Sequence, residues 1–113
     1  MNIQILGSKK DNDTRKAERF FKERGIKYQF RELSEKGISK GELENIVRVI
    51  KPEDLIDKEG KQYKKRNMSF MKFNIEEELL NDPLLFKMPV VRNGNLCTNG
   101  YEPELWKEWI DKS

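Results

Sequence analysis

The sequence predicts an α/β fold: a four-stranded mixed sheet flanked by helices, with a mostly helical insertion over about residues 39–86. Three observations carry that prediction. The first thirty residues alternate strand, helix and strand periodicity. The middle changes to helical spacing with capping residues. The last third returns to short apolar runs around an Asn-Gly pair, then closes on one more amphipathic stretch. At 113 residues the chain has the length of one compact domain, residues 1–113 together, and not of two independent cores.

Residues 2–6 read as a buried strand closed by Gly7-Ser8, too short an apolar stretch for a signal peptide. Asp11-Asn12-Asp13-Thr14 offers several helix-capping side chains. Ala17, Phe20 and Phe21 follow at helical spacing, and Gly25 ends the helix. Ile26, Tyr28 and Phe30 alternate with polar residues, so 26–31 is the second strand. A short strand-helix-strand connection of this kind makes the two strands parallel. Ser39 and Glu42 form a capping box before the stripe Leu43, Ile46, Val47, Ile50, which Pro52 ends. A turn at Gly60 precedes the charged run Lys61–Arg66. Asn74 and Glu77 suggest a second capping box, and Asp82-Pro83 another turn or helix. Residues 88–92 and 95–98 read as a hairpin, because Asn93-Gly94 suits a tight type I′ turn. After Gly100, Pro103 sits in a first helical turn, and Leu105, Trp106, Trp109 and Ile110 form an apolar face.

Composition removes several functions. There is no histidine, so His-assisted nucleophiles are impossible, and a zinc site cannot be built from one cysteine. No metal ligation is expected. The single cysteine, Cys97, excludes an intramolecular disulfide, and a reducing cytoplasmic setting is expected. No apolar run spans a membrane. Lys and Arg exceed Asp and Glu by only three, 23 against 20, too small an excess to argue for nucleic acid by itself.

Four segments, in order, resemble one family. Gly7–Ala17 is similar to the active-site loop and first helix of the ArsC/Spx family, in which the loop carries a cysteine and Arg-Lys-Ala begins the helix body. Leu55–Lys64 resembles its mid-chain turn before an aromatic-basic pair. Asn81–Val91 resembles its Pro-Leu-Leu segment leading into Arg-Pro-Ile/Val. Gly100-Tyr101 with the acids that follow resembles its last helix entry. The resemblance spans essentially the whole chain and implies a thioredoxin-like fold with Pro89 in the cis form.

It also implies losses. Asp11 stands at the family's nucleophile and Thr14 at the second cysteine of the Spx-type pair. Met88 replaces the arginine before the proline, Thr98 stands where some relatives carry another, and Lys64 aligns with the mid-chain arginine. A carboxylate cannot be arsenylated, and an arginine fork suits an oxyanion far better than what remains. The remnant site is therefore Asp11, Thr14, Lys64, Met88 and Pro89, with no catalytic residue, and Asp11 is read first as a helix cap.

Three functions follow. The first is a non-catalytic interaction or regulatory module; Spx-type proteins bind RNA polymerase, so a protein partner, RNA polymerase among the candidates, is implied by the resemblance. The second is a glutathione-dependent or other thiol enzyme using Cys97 or unorthodox chemistry, with glutathione or a second chain as the candidate partner of the thiol. The third is an anion or nucleic-acid binder using Lys61–Arg66, the weakest because Tyr63 is that run's single aromatic residue. Cys97 itself reads best as a small apolar strand residue. Trp106 and Trp109 read as core-facing.

Overall fold

The computed structural model describes residues 1–113. They divide into two compact units, residues 1–32 with 88–113, and residues 33–87. The first unit holds the sheet: β1 (Ile3–Gly7), β2 (Tyr28–Glu32), β3 (Val90–Asn93) and β4 (Leu96–Asn99), with helices α1 (Asn12–Glu23) and α6 (Pro103–Lys112). The second holds α2 (Lys40–Val47), α3 (Pro52–Leu55), α4 (Lys61–Lys65), α5 (Ile75–Asn81) and the 3-10 turns Met68–Phe70 and Pro83–Leu85.

Strand order is β2-β1-β3-β4. β1 runs parallel to β2 and antiparallel to β3, and β3 to β4 is antiparallel. The sheet is the mixed one expected, and the fold is thioredoxin-like. Alternation sorts its side chains: Ile3, Ile5 and Val91 face α1 and α6, where Ala17, Phe20, Phe21 and Trp106 complete a fully packed core. Phe20 and Phe21 each approach the Trp106 ring, at 5.2 and 5.4 Å between centroids.

Differences from the predicted boundaries have local causes. β2 starts at Tyr28 rather than Ile26 because α1 ends in a Schellman cap. Gly25 takes φ +66, its N–H donates to Lys22 O, and the Ile26 N–H donates back to Phe21 O at 2.9 Å. Ile26 is thus engaged by the helix and lost to the ladder. In the hairpin, Asn93 pairs with Leu96, so the central residues are Gly94 and Asn95, not Asn93 and Gly94. Gly94 has φ +59 while Asn95 has no positive φ, the requirement of a type II′ turn instead of I′. Pro52 does more than end α2, since it opens α3 from its first turn. On α6 the expected apolar face holds for Trp106, fully buried, and partly for Trp109 and Ile110, but Leu105 is exposed.

In the second unit the Ser39–Glu42 capping box forms in both directions. At α5 the Asn74 side chain accepts from the Glu77 N–H at 3.0 Å. Ile56 bridges Phe86, with Asp57 N–H to Leu85 O at 2.8 Å and Lys87 N–H to Leu55 O at 2.7 Å clipping two ends of the segment together. No helix of the chain is long and apolar enough to cross a membrane.

Candidate functional site

The turn from β1 into α1 is built around one carboxylate. Asp11 has extended backbone and is the N-cap of α1. Its Oδ2 accepts from the Thr14 N–H at 2.8 Å and from the Thr14 hydroxyl at 2.9 Å. Thr14 Oγ1 in turn accepts from the Ser8 N–H at 3.4 Å, and the Asp11 N–H donates to Ser8 O at 2.9 Å. Glycine is required at position 7, because a Cβ there would run into the Thr14 hydroxyl. Thr14 is fully buried and its hydroxyl is satisfied as donor and acceptor. The positive end of α1 therefore faces the chain's own carboxylate, with Asp13 adding a second acid in the first turn. An incoming oxyanion would meet negative charge and an N–H already in use.

A second polar cluster supports this turn, and its members were not singled out from the sequence. Glu32 accepts from the Lys9 N–H at 2.8 Å and from the Ser8 hydroxyl at 3.3 Å. Glu18, almost wholly buried in α1, accepts from the Tyr28 hydroxyl at 2.9 Å and pairs with Lys9 Nζ at 3.4 Å. Burial, and then the Glu18 carboxylate that holds its proton, push the Tyr28 phenol up to about 12. The available signal was periodicity: Thr14, Ala17, Glu18 and Phe21 form one inward stripe, with an acid at an apolar position.

Met88-Pro89 is a cis peptide. Pro89 is buried and Met88 half-buried, and Pro89 O accepts from the Gly100 N–H at 2.9 Å. Because Leu6 pairs with Val90, the exit of β1 toward Asp11 and the entry of β3 at Pro89 lie at the same end of the sheet. Asp11 and Thr14 are thus brought into one bonded cluster, with Met88 and Pro89 at that sheet end.

Lys64 belongs to the second unit, exposed on α4. The charged run around it is not one solvated basic face. Tyr63 is buried against Phe73, and Arg66 turns inward to Glu78 at 2.8 Å and Asp82 at 3.0 Å. Gln62 donates to the same Asp82 oxygen at 2.7 Å. Its hydrogen bonds to the Glu78 carboxylate, and then to that of Asp82, raise the Arg66 guanidinium above its ordinary value. Without its aromatic residue and its arginine, the run loses the features that a nucleic-acid reading would use.

Cys97 is half-buried on β4, opposite Arg92. Burial pushes its thiol up to about 11, against a smaller opposite pull from Arg92. Thr98 points to the other face, into the core, where its hydroxyl accepts from Trp106 Nε1 at 2.8 Å. An arginine side chain in place of Thr98 would have to enter the core beside Trp106. No group of three or more His, Cys, Asp or Glu could hold a metal ion.

Sheet order, parallel β1-α1-β2 unit and cis-proline at the head of β3 define a thioredoxin-like protein. No protein-family profile matches the chain. It is 26% identical to the global transcriptional regulator Spx 2 of Oceanobacillus iheyensis, over 99% of this chain and 86% of that protein. Its fold is similar to an arsenate reductase from Vibrio cholerae, with TM-score 0.80, 19% identity, and coverage of 96% of this chain and 97% of the other. An arsenate reductase (ArsC) related protein from Brucella melitensis superposes with TM-score 0.71 at 22% identity, over 97% and 95% of the two chains. The chain is thus similar in sequence to an Spx regulator and in fold to ArsC-type proteins, and Cys97 is its one cysteine.

Proposed function

We propose that this protein is a non-catalytic ArsC/Spx-type module of the cytoplasm, one domain in function, that acts by binding another protein. The observation that carries the reading is the Asp11 carboxylate at the position matching the family's nucleophile, bonded to both the N–H and the hydroxyl of Thr14. Such a group offers no sulfur to arsenylate and no vacant donor for an oxyanion. Met88 ahead of Pro89, in place of an arginine, agrees with it. The likeness to an Spx regulator makes RNA polymerase the first partner to test.

The thiol-enzyme alternative rests on Cys97. With a thiol near 11 against 9.0 for an ordinary one, its thiolate fraction at neutral pH is roughly a hundredfold lower, so burial works against nucleophilic use. The test has two arms. Arsenate reduction with glutathione and glutaredoxin, or with thioredoxin, is expected to give no turnover. Turnover that survives Cys97→Ser overturns the reading, and turnover abolished by it moves the function to the thiol. In the second arm, tagged full-length chain is mixed with purified RNA polymerase at physiological salt. Co-elution with a polymerase subunit is expected, and its failure removes this partner.

A further inference from the structure

The first unit carries a concavity of about 510 Å³ between α1 and the start of α6. Its lining holds four cations, Lys16, Arg19, Arg24 and Lys107, against two carboxylates, Glu23 and Glu104. Aromatic surface lies among them. Tyr101 is 42% exposed and backed edge-on by Trp106, and Phe20 lies under the Arg24 guanidinium at 3.7 Å. Lys16 Nζ sits 5.6 Å over the Tyr101 ring.

The cations differ in how far they are engaged. Lys107 pairs with Glu104 at 3.4 Å, and Lys16 touches Asp13 at 3.9 Å. Arg24 is pinned by its ring contact and by donation to Phe20 O at 3.0 Å, which fixes its fork in place. Arg19 has neither an ion-pair nor a hydrogen-bond partner, although it lines the same concavity. A guanidinium left free beside exposed aromatic surface suits a carboxylate flanked by aliphatic groups. The volume accommodates a few side chains, within the range of ligand clefts. The two acids in the lining disfavour an unbroken phosphate chain, whereas a peptide can space its carboxylates around them.

We propose that this α1–α6 groove is the docking site for an acidic peptide segment of a partner protein, with carboxylates on Arg19 and Lys16 and an aliphatic residue against Tyr101. The proposal rests on the reading of the chain as an interaction module and gives that module a surface. Its failure is distinguishable, because the groove can be mapped whether or not RNA polymerase binds.

The probe is a blocked hexapeptide of alternating Glu, Leu and Asp, titrated into isotopically labelled full-length protein at 0.15 M salt. At that ionic strength diffuse charge attraction is largely screened. Amide shifts are expected around Lys16, Arg19, Tyr101 and Lys107. Arg19→Glu should weaken binding about tenfold or more, and Lys65→Glu, on the other basic stretch, less than about twofold. Tyr101→Ala should weaken the Leu-containing peptide but leave a Leu-to-Ser version unchanged. The proposal is overturned if shifts map to α4 or to the sheet, or if both charge reversals weaken binding equally. It is also overturned if no binding is seen at millimolar peptide, or if a single-stranded oligonucleotide occupies the groove more tightly.

Discussion

Thr14 and Thr98 are both buried threonines of the first unit, and the two are tied into the fold by different routes. Thr14 is bonded to Asp11 three residues earlier, inside a capping motif. Thr98 is bonded to Trp106 across the strand-to-helix connection, and the bond exists only because α6 lies over the sheet. The first is local and stabilises one helix end. The second joins two elements and supports the whole core. How much the fold depends on such a bond thus varies with how far away the partner is.

The largest effects should fall on the Thr98 side. Trp106→Ala, removing a fully buried indole between Phe20 and Phe21, is expected to cost about 3–5 kcal/mol of stability. Thr98→Val keeps the shape but leaves Trp106 Nε1 without an acceptor, and should cost about 1–3 kcal/mol. Denaturant unfolding of both variants and of Trp106→Phe checks the comparison. If Thr98→Val is neutral in wild type, the hydrogen bond is not what holds Thr98 in the core.

On the Thr14 side the expected cost is smaller. Asp11→Ala should lose roughly 0.5–2 kcal/mol, the range for an N-cap, and leave the rest of the unit intact. Unfolding curves for Asp11→Ala and Asp11→Asn measure it. Asparagine can keep the bond to the Thr14 N–H, so it should recover much of the loss. A cost for Asp11→Ala as large as for Trp106→Ala would mean that the cap is no local device.

The smallest effect is a dependence on pH. The Tyr28 phenol is raised from 10.0 to about 12 in the folded chain, so the folded state favours its neutral form. That contribution is complete below pH 10 and is lost as pH rises from 10 through 12. The melting temperature of wild type should therefore fall more steeply over this window than that of Tyr28→Phe. Parallel curves for the two would mean that Glu18 does not hold the Tyr28 proton.

Legibility from sequence followed the same division between near and far. Asp11 as a cap, the Ser39–Glu42 box and the amphipathic stretches were readable because their partners lie within a turn. The strands were placed within about two residues, and the errors arose where a neighbouring element claimed a backbone group, as α1 does with the Ile26 N–H. The Trp106 bond to Thr98 and the clamp of Glu78 and Asp82 on Arg66 were not readable. Their partners are 8, 12 and 16 residues apart, and no local pattern marks them. The Arg66 clamp is why a basic run in the sequence is not a basic face in the fold. Resemblance supplied what pattern could not, the cis form of Pro89 and its place at the sheet end shared with the Asp11 turn.

The order β2-β1-β3-β4 also ranks how the sheet comes apart. β1 is hydrogen-bonded on both sides, so its amides exchange with solvent only when the unit opens as a whole. β4, like β2, is an edge strand and is expected to fray before the inner pair β1 and β3. Asp11 lies just beyond an inner strand, while Cys97 rides on an edge. Thiol labelling of the half-buried Cys97 is therefore expected to report on that hairpin edge and not on the lifetime of the fold.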